Sequence, residues 1–349
     1  MIEVSATGPA YARGRAQAGT APAAAIRRAT VERVERARAD GLIDSDAGSY
    51  LTAQRHFHEI HDPEGLSELL GVADAFGLAD ADLFAHLHLG TLRDMKGGAA
   101  LIEGCSAWAV GQGPDGPLVV KNRDFSGQHL GIQCILRHAG PDIATGQVVS
   151  LGSLGSLAAW SSGMNAAGLA IADTQVSVNR HRVGWLRYFL LPRLLARAVS
   201  VGEALALIRS LPHAGGGTLV MADRNGATAA VELSATDPVV VDGGATWRTN
   251  HYTAPGVAGE TLGTDGDRIA GNSHARFDYL SRVLPERAWT VAAARDLMAT
   301  HSVPICQHAA CEGDSETISS VVYSCRLGGM EIAEGTPCLG RWQVIAPCR

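Results

Sequence analysis

Cysteine is missing from the first hundred residues; the earliest of the seven in the chain is Cys105. An odd, scattered set gives no paired disulfide framework. The cysteines therefore read as reduced thiols, most of them small buried apolar residues of a cytosolic chain. The N-terminus, Met1-Ile2-Glu3-Val4-Ser5-Ala6-Thr7-Gly8, has neither a basic n-region nor an apolar h-region, so no secretory signal is expected there. No apolar run is long and uninterrupted enough to span a bilayer, which argues against a membrane protein. Basic clusters are missing too. With 29 Lys and Arg against 35 Asp and Glu, the formal charge of −6 excludes a nucleic-acid footprint and points to small molecules or peptides as partners. Aromatics are scarce at 5%, and there are no repeats or low-complexity tracts. What is there is a chain 46% hydrophobic and only 18% charged, rich in Gly and Ala, suited to tight turns and a large close-packed core.

The texture of the chain changes near residue 104. Residues 1–104 read as mainly helical. Residues 20–39 are rich in Ala and Arg, with Val31, Val34 and Ala37 at helical spacing. Asp62-Pro63-Glu64 starts another helix, Asp as N-cap and Pro in the first turn, and Leu66, Leu69, Leu70, Val72 and Ala75 form its stripe. A further start lies at Leu78-Ala79-Asp80, and 95–100, with Gly97-Gly98, is a loop-like break. From Cys105 on, short apolar runs bounded by Gly and Ser predict strands at 132–138, 146–151, 156–161 and 168–172, with a turn at 163–168. Helices are predicted near 185–198, with Pro192 inside, and at 201–210, 273–283 and 290–299. Strands are predicted at 217–222, 227–233, 237–242, 246–249, 319–325 and 330–333. Strands that follow one another through hairpins between groups of helices predict an α+β layered sandwich with largely antiparallel sheets.

Two apolar runs, Gly104-Cys105-Ser106-Ala107-Trp108-Ala109-Val110 and Leu118-Val119-Val120-Lys121-Asn122-Arg123-Asp124-Phe125, flank Gln112-Gly113-Pro114-Asp115-Gly116-Pro117. That punctuation predicts a β-hairpin, whose closure brings the Cys105 thiol toward the Asp124 carboxylate. If the Gly104–Cys105 peptide bond is cut, Cys105 carries both a thiol and an α-amine, with reference pKa values of about 8.5 and about 8. The amine then takes the thiol proton, so nucleophile and base are one residue, and Asp124 orients or charge-balances the amine. Attack on an amide carbonyl gives a thioester that water or an amine resolves. The side-chain amide of Asn250 is a candidate oxyanion donor. The same thiol can first attack the carbonyl of Gly104, where glycine tolerates the backbone that such attack requires. The bland alternative is that Cys105 is one more buried cysteine entering a strand.

Five stretches in order carry a resemblance: Gly104-Cys105-Ser106-Ala107-Trp108, Asn122-Arg123-Asp124-Phe125, Gly163-Met164-Asn165 with Gly168-Leu169, Thr249-Asn250-His251-Tyr252, and Ser273 with Arg276-Phe277. The chain resembles the acyl-coenzyme A:6-aminopenicillanic acid acyltransferase-like family of cysteine N-terminal nucleophile hydrolases, related to penicillin V acylase and bile salt hydrolase. The resemblance implies a four-layer αββα sandwich and self-cleavage into fragments 1–104 and 105–349 that stay packed as one unit. It implies Cys105 as nucleophile, Asp124 as partner of its amine, Asn250 as oxyanion donor and Gln175 as a backbone oxyanion donor. Arg276 becomes a buried cation that favours thiolate. Lys121 stands where the bile salt hydrolase branch has Arg, a point charge in place of a planar fork; its bland reading is a solvated lysine at a strand end. The implied substrate is an acyl amide or thioester of a small molecule, with no metal or organic cofactor. A coenzyme A donor is implied by one branch only, and no Gly-rich phosphate loop accompanies it. The acyl group, hydrolysis against transfer, and self-association stay open.

Three other readings compete. Cys306-Gln307-His308-Ala309-Ala310-Cys311 contains zinc ligands but lacks a second half; Cys325 and Cys338 complete a tetrahedron only if the fold brings them there, so no metal is expected. The thirteen histidines allow an uncleaved enzyme with a Cys–His pair, His251 or His129 acting as base. A binding protein without catalysis predicts an intact chain and no reactive thiol. Neither of the last two explains Gly104-Cys105 at a helix-to-strand boundary.

Overall fold

The computed structural model describes residues 1–98, 104–158, 160–263, 268–309 and 315–346, with backbone alone for 268–271. Strand β1 (Ile2–Thr7) precedes six helices: α1 (Ala10–Arg15), α2 (Ala23–Ala29), α3 (Val31–Ala39), α4 (Ser45–His61), α5 (Pro63–Phe76) and α6 (Asp80–Asp94). Next come β2 (Gly104–Val110), β3 (Leu118–Ser126), β4 (Gln133–Ala139), β5 (Gln147–Ser153), β6 (Ser162–Asn165) and β7 (Ala170–Thr174). Helices α7 (Arg187–Arg197) and α8 (Val201–Ser210) lead to β8 (Thr218–Ala222), β9 (Thr228–Glu232), β10 (Val239–Asp242) and β11 (Ala245–Arg248). The chain closes through α9 (Arg268–Val283), α10 (Val291–Met298), β12 (Ser315–Ser324), β13 (Gly329–Glu334) and β14 (Trp342–Ile345).

The strands form an eight-stranded sheet in the order β1-β4-β5-β6-β7-β8-β9-β10 and a six-stranded sheet in the order β11-β2-β3-β12-β13-β14. All pairings within them are antiparallel except β1 with β4. The period of two along β2 shows how the layers arise. Ala107 and Ala109 point between the sheets, with Val119, Met164, Val220 and Tyr323. Trp108 and Val110 point the other way, against Leu280 and Leu284 at the end of α9 and Leu297 of α10. Outside the larger sheet, α5, α6, α7 and α8 contribute Leu69, Phe84, Leu191 and Leu205 to a third layer of core. The result is the expected αββα sandwich. Ala107 and Ala109 are fully buried, so these small side chains let the sheets approach closely.

Local chemistry explains most element boundaries. Asp62 caps α5 by accepting the Gly65 N–H at 3.4 Å, with Pro63 in the first turn. Residues 20–39 form two helices because Thr30 leaves helical geometry (φ −125°, ψ −78°) while its hydroxyl bonds back to Ile26 O at 2.7 Å. The N-terminal third is not purely helical, since β1 pairs in parallel with β4 and ties this segment into the larger sheet. The described residues of 156–161 are not in a strand; β6 begins at Ser162 and runs through Asn165, into the stretch predicted as a turn. Of the break predicted at 95–100, Ala99 and Ala100 lie outside the described residues. Among the described residues, no helix is long and apolar enough to cross a membrane.

Candidate active site

The predicted hairpin forms, with Gly104 opposite Asp124, Cys105 opposite Arg123 and Ala107 opposite Lys121. Alternation then puts Cys105, Lys121 and Arg123 on the face between the sheets, at the end where the packing opens. There a small cavity is lined by Cys105, Lys121, Asp124, Trp160, Asp173 and Gln175 among others. A roomier cavity lies around Arg13, Asp62 and Phe189, but none of the described cysteines lines it.

Asn250 and Arg276 fasten the thiol-bearing residue. The Cys105 N–H donates to Asn250 Oδ1 at 3.0 Å. Arg276, fully buried on α9, donates from Nη1 to Cys105 O (2.6 Å) and Ser106 Oγ (3.0 Å), from Nη2 to Asn250 Oδ1 (2.8 Å) and from Nε to Asn272 Oδ1 (2.7 Å). Asn250 Nδ2 in turn donates to the Gln175 carbonyl at 2.7 Å. One helical turn before Arg276, Ser273 Oγ accepts the Asn250 backbone N–H at 2.7 Å. The Ser-x-x-Arg spacing therefore lets one face of α9 hold both the backbone and the side chain of Asn250. Arg276 is fully enclosed, as a buried cation at this site requires.

Asp124 sits on the middle strand of three. Its Oδ1 accepts from Thr317 Oγ1 on β12 at 2.6 Å and its Oδ2 from Gln307 Nε2 at 2.7 Å. The β3–β12 register slips between Thr317 and Ser319, directly beside this contact. Such an irregularity re-aims a side chain. Burial pushes the Asp124 carboxyl up from the usual range, opposed by Arg276, Thr317 and Gln307. Burial also pushes the Cys105 thiol up; Lys121 and Arg123 pull it down, while Asp173 and Asp124 add to the rise.

Lys121 is buried, not solvated. Its Nζ donates to Asp173 O at 2.7 Å and Ser161 O at 3.2 Å and is paired with Asp173 Oδ1. Arg187 Nε binds the other Asp173 oxygen at 2.9 Å, and its Nη2 reaches Gln175 Oε1. Two cations thus share one carboxylate, on the floor of the cavity. Asp173 and Arg123 were missed in the sequence. An acid inside the apolar strand Ala170-Ile171-Ala172-Asp173 demands a cationic partner, and Arg123 shares the strand face of Lys121; both signals were readable. Arg123 stacks over Trp160 at 4.6 Å and donates to Ser153 Oγ at 2.9 Å.

Neither proposed base histidine lines the cavity. His129 Nδ1 lies 3.1 Å from Ser153 Oγ, and burial pushes the ring well below its usual pKa. His251 Nδ1 lies 2.8 Å from Ser273 Oγ, and its pKa is pushed down to about 3, chiefly by burial. The Gly163-Met164-Asn165 motif is structural: Asn165 Nδ2 binds the carbonyls of Leu195 (2.9 Å) and Ala198 (2.7 Å) at the end of α7.

A thiol at the first turn-in of a strand, in a cationic pocket between two sheets flanked by helices, defines an αββα fold built around one cysteine. Residues 111–338 match the family model of acyl-coenzyme A:6-aminopenicillanic acid acyl-transferase, and the chain belongs to that family. No curated protein matches the chain in sequence. Among solved structures, a mutant of the conjugated bile acid hydrolase of Clostridium perfringens is similar at 13% identity and TM-score 0.45, over 69% of this chain and 92% of that one. Penicillin V acylase of Agrobacterium tumefaciens is similar at 14% identity and TM-score 0.38, over 66% and 82%.

Proposed function

We propose that the protein is a cysteine amidohydrolase or acyltransferase that matures by cutting its own Gly104–Cys105 bond. The observation that supports this most is the placement of Cys105: its thiol faces the cavity while its backbone nitrogen lies 3.0 Å from Asn250 Oδ1. In the uncut chain Cys105 Sγ attacks the Gly104 carbonyl, the C–N bond breaks and the proton goes to the leaving nitrogen. Water then hydrolyses the thioester, leaving fragments 1–104 and 105–349. The freed α-amine keeps Asn250 Oδ1 as its acceptor, inside the field of Asp124, and serves as base for the thiol.

A substrate amide enters the cavity and its acyl carbon bonds to Cys105 Sγ. The amine leaves with the thiol proton, and water or a second amine releases the acyl group. Asn250 Nδ2 has a second N–H beyond the one given to Gln175, suited to a developing oxyanion. The Gln175 backbone N–H is a further candidate. The cations Lys121 and Arg276 favour thiolate against the cost of burial, and Lys121 works as a point charge fixed by Asp173. Binding of an acyl amide of a small molecule needs no nucleic acid, membrane or cofactor in this scheme.

The test is a panel of acyl p-nitroanilides with aryl, aryloxy and fatty acyl groups, acid-quenched during turnover and digested. The expected result is an acyl adduct, labile to hydroxylamine, on the peptide beginning at Cys105. Turnover in the Cys105→Ala variant would overturn the proposal.

A further inference from the structure

The sequence presented half a metal site at Cys306 and His308, with Cys325 and Cys338 able to complete it only if the fold brought them there. The fold completes it from two other places. His301, just after α10, and Cys338, in the turn between β13 and β14, converge on the same point, and one ligand atom from each of the four residues lies within 4.8 Å of every other. Cys325 does not take part; its thiol is buried elsewhere, donating to Ala222 O at 3.6 Å. Cys311 lies outside the described residues.

We propose that His301, Cys306, His308 and Cys338 bind a structural zinc ion. Two thiolates and two neutral imidazoles are a tetrahedral zinc set, and they balance the charge of the divalent ion. With Zn–S near 2.3 Å and Zn–N near 2.05 Å, a tetrahedron has edges of about 3.4 Å between nitrogens and about 3.6 Å between nitrogen and sulfur. The structure has 3.1 Å between His301 Nε2 and His308 Nε2, and 3.4 and 3.8 Å from His308 Nε2 to the sulfurs of Cys338 and Cys306. Both imidazoles present the same nitrogen to the same point. The scaffold is also fixed: Asn122 Nδ2 binds Ile305 O at 2.9 Å, the Cys306 N–H binds Thr300 O at 3.1 Å, and the Gln307 N–H binds Thr317 Oγ1 at 2.9 Å.

The ion ties the loop after α10 to the β13–β14 turn. Gln307 lies between two of its ligands and donates to Asp124 at 2.7 Å, so the knot also steadies the cavity's carboxylate. Zinc binding itself does not depend on the proposed acyl chemistry, and metal content is read without turnover.

The test uses the full chain, purified under reducing conditions without chelators. Inductively coupled plasma mass spectrometry should find about one zinc per chain. Competition with 4-(2-pyridylazo)resorcinol should show affinity falling at least about 100-fold in Cys338→Ser and in His301→Ala. Cobalt substituted into the wild-type chain should give tetrahedral d–d bands with thiolate charge transfer, a readout independent of how either variant folds. A reduced wild-type chain that takes up no zinc or cobalt would overturn the proposal, as would a native Cys306–Cys338 disulfide or undiminished zinc in both variants.

Discussion

Arg276→Lys keeps the buried charge and removes the fork. The guanidinium donates to Cys105 O, Ser106 Oγ, Asn250 Oδ1 and Asn272 Oδ1. Its two Nη atoms serve opposite sides: Nη1 holds the Cys105–Ser106 strand and Nη2 holds Asn250. An ammonium at one point reaches one side only, so about two charge-assisted bonds are lost, each worth roughly 1.5–3 kcal/mol. The ceiling is about 3–6 kcal/mol, and relaxation of the site brings the expected loss to about 2–4 kcal/mol. Stability should be measured by urea unfolding in a Cys105→Ala background, where both proteins are uncut and covalently equal. In the Cys105 background, self-cleavage should slow at least about tenfold, because Asn250 no longer fixes the Cys105 nitrogen. A loss below about 0.5 kcal/mol together with unchanged cleavage would show that the fork does not organise the site.

Thr317→Val removes the hydroxyl that lowers the Asp124 pKa. The acid limb of the cleavage rate should move to higher pH, and an unshifted pH profile would refute that role. Burial pushes His58 down to about 3 while it stacks on Phe189 at 4.0 Å. The unfolded chain takes this proton below pH about 6.5 and the folded one only near 3, so stability is lost as pH falls through that window. By pH 5 the loss is about 2 kcal/mol from this residue, and urea midpoints in His58→Phe should depend less on pH than those of the Cys105→Ala parent. A Cβ on Gly111 would sit 2.1 Å from Gly226 O, whereas Gly48 on α4 has nothing within 4 Å. Gly111→Ala should cost about 1–3 kcal/mol or more, and Gly48→Ala should stabilise by up to about 1 kcal/mol in melting experiments.

Much of this architecture is written in local chemistry. The hairpin around Cys105, the Asp62 cap and α8 at Val201–Ser210 follow from turn residues and periodicity that tertiary packing leaves alone. Strand β1 was not legible because Ile2–Thr7 is a short edge strand whose partner, β4, lies far along the chain. The 156–161 stretch misled because its apolar residues Leu157, Ala158 and Trp160 are buried without belonging to a ladder. For the site, motif order led to Cys105, Asp124, Asn250 and Arg276, which the fold brings together. The partners of Asp124 and Lys121 come from distant segments: Thr317 and Gln307 on Asp124, Asp173 on Lys121. Their assembly depends on sheet order. In the cluster of His301, Cys306, His308 and Cys338, Cys338 is a ligand the spacing already offered, whereas His301 stood outside the Cys306–Cys311 motif and only the loop after α10 brings it in.

Self-cleavage at Gly104–Cys105 would make Cys105 an N-terminal nucleophile. The most direct measurement is intact-protein mass spectrometry under denaturing conditions, on the wild-type and Cys105→Ala chains after timed incubation. Two wild-type fragments are expected, 1–104 and 105–349, the larger with cysteine at its N-terminus, and one uncut variant chain. A wild-type chain that stays whole while it turns over an acyl amide, or a Cys105→Ala chain cut at the same bond, would contradict this expectation.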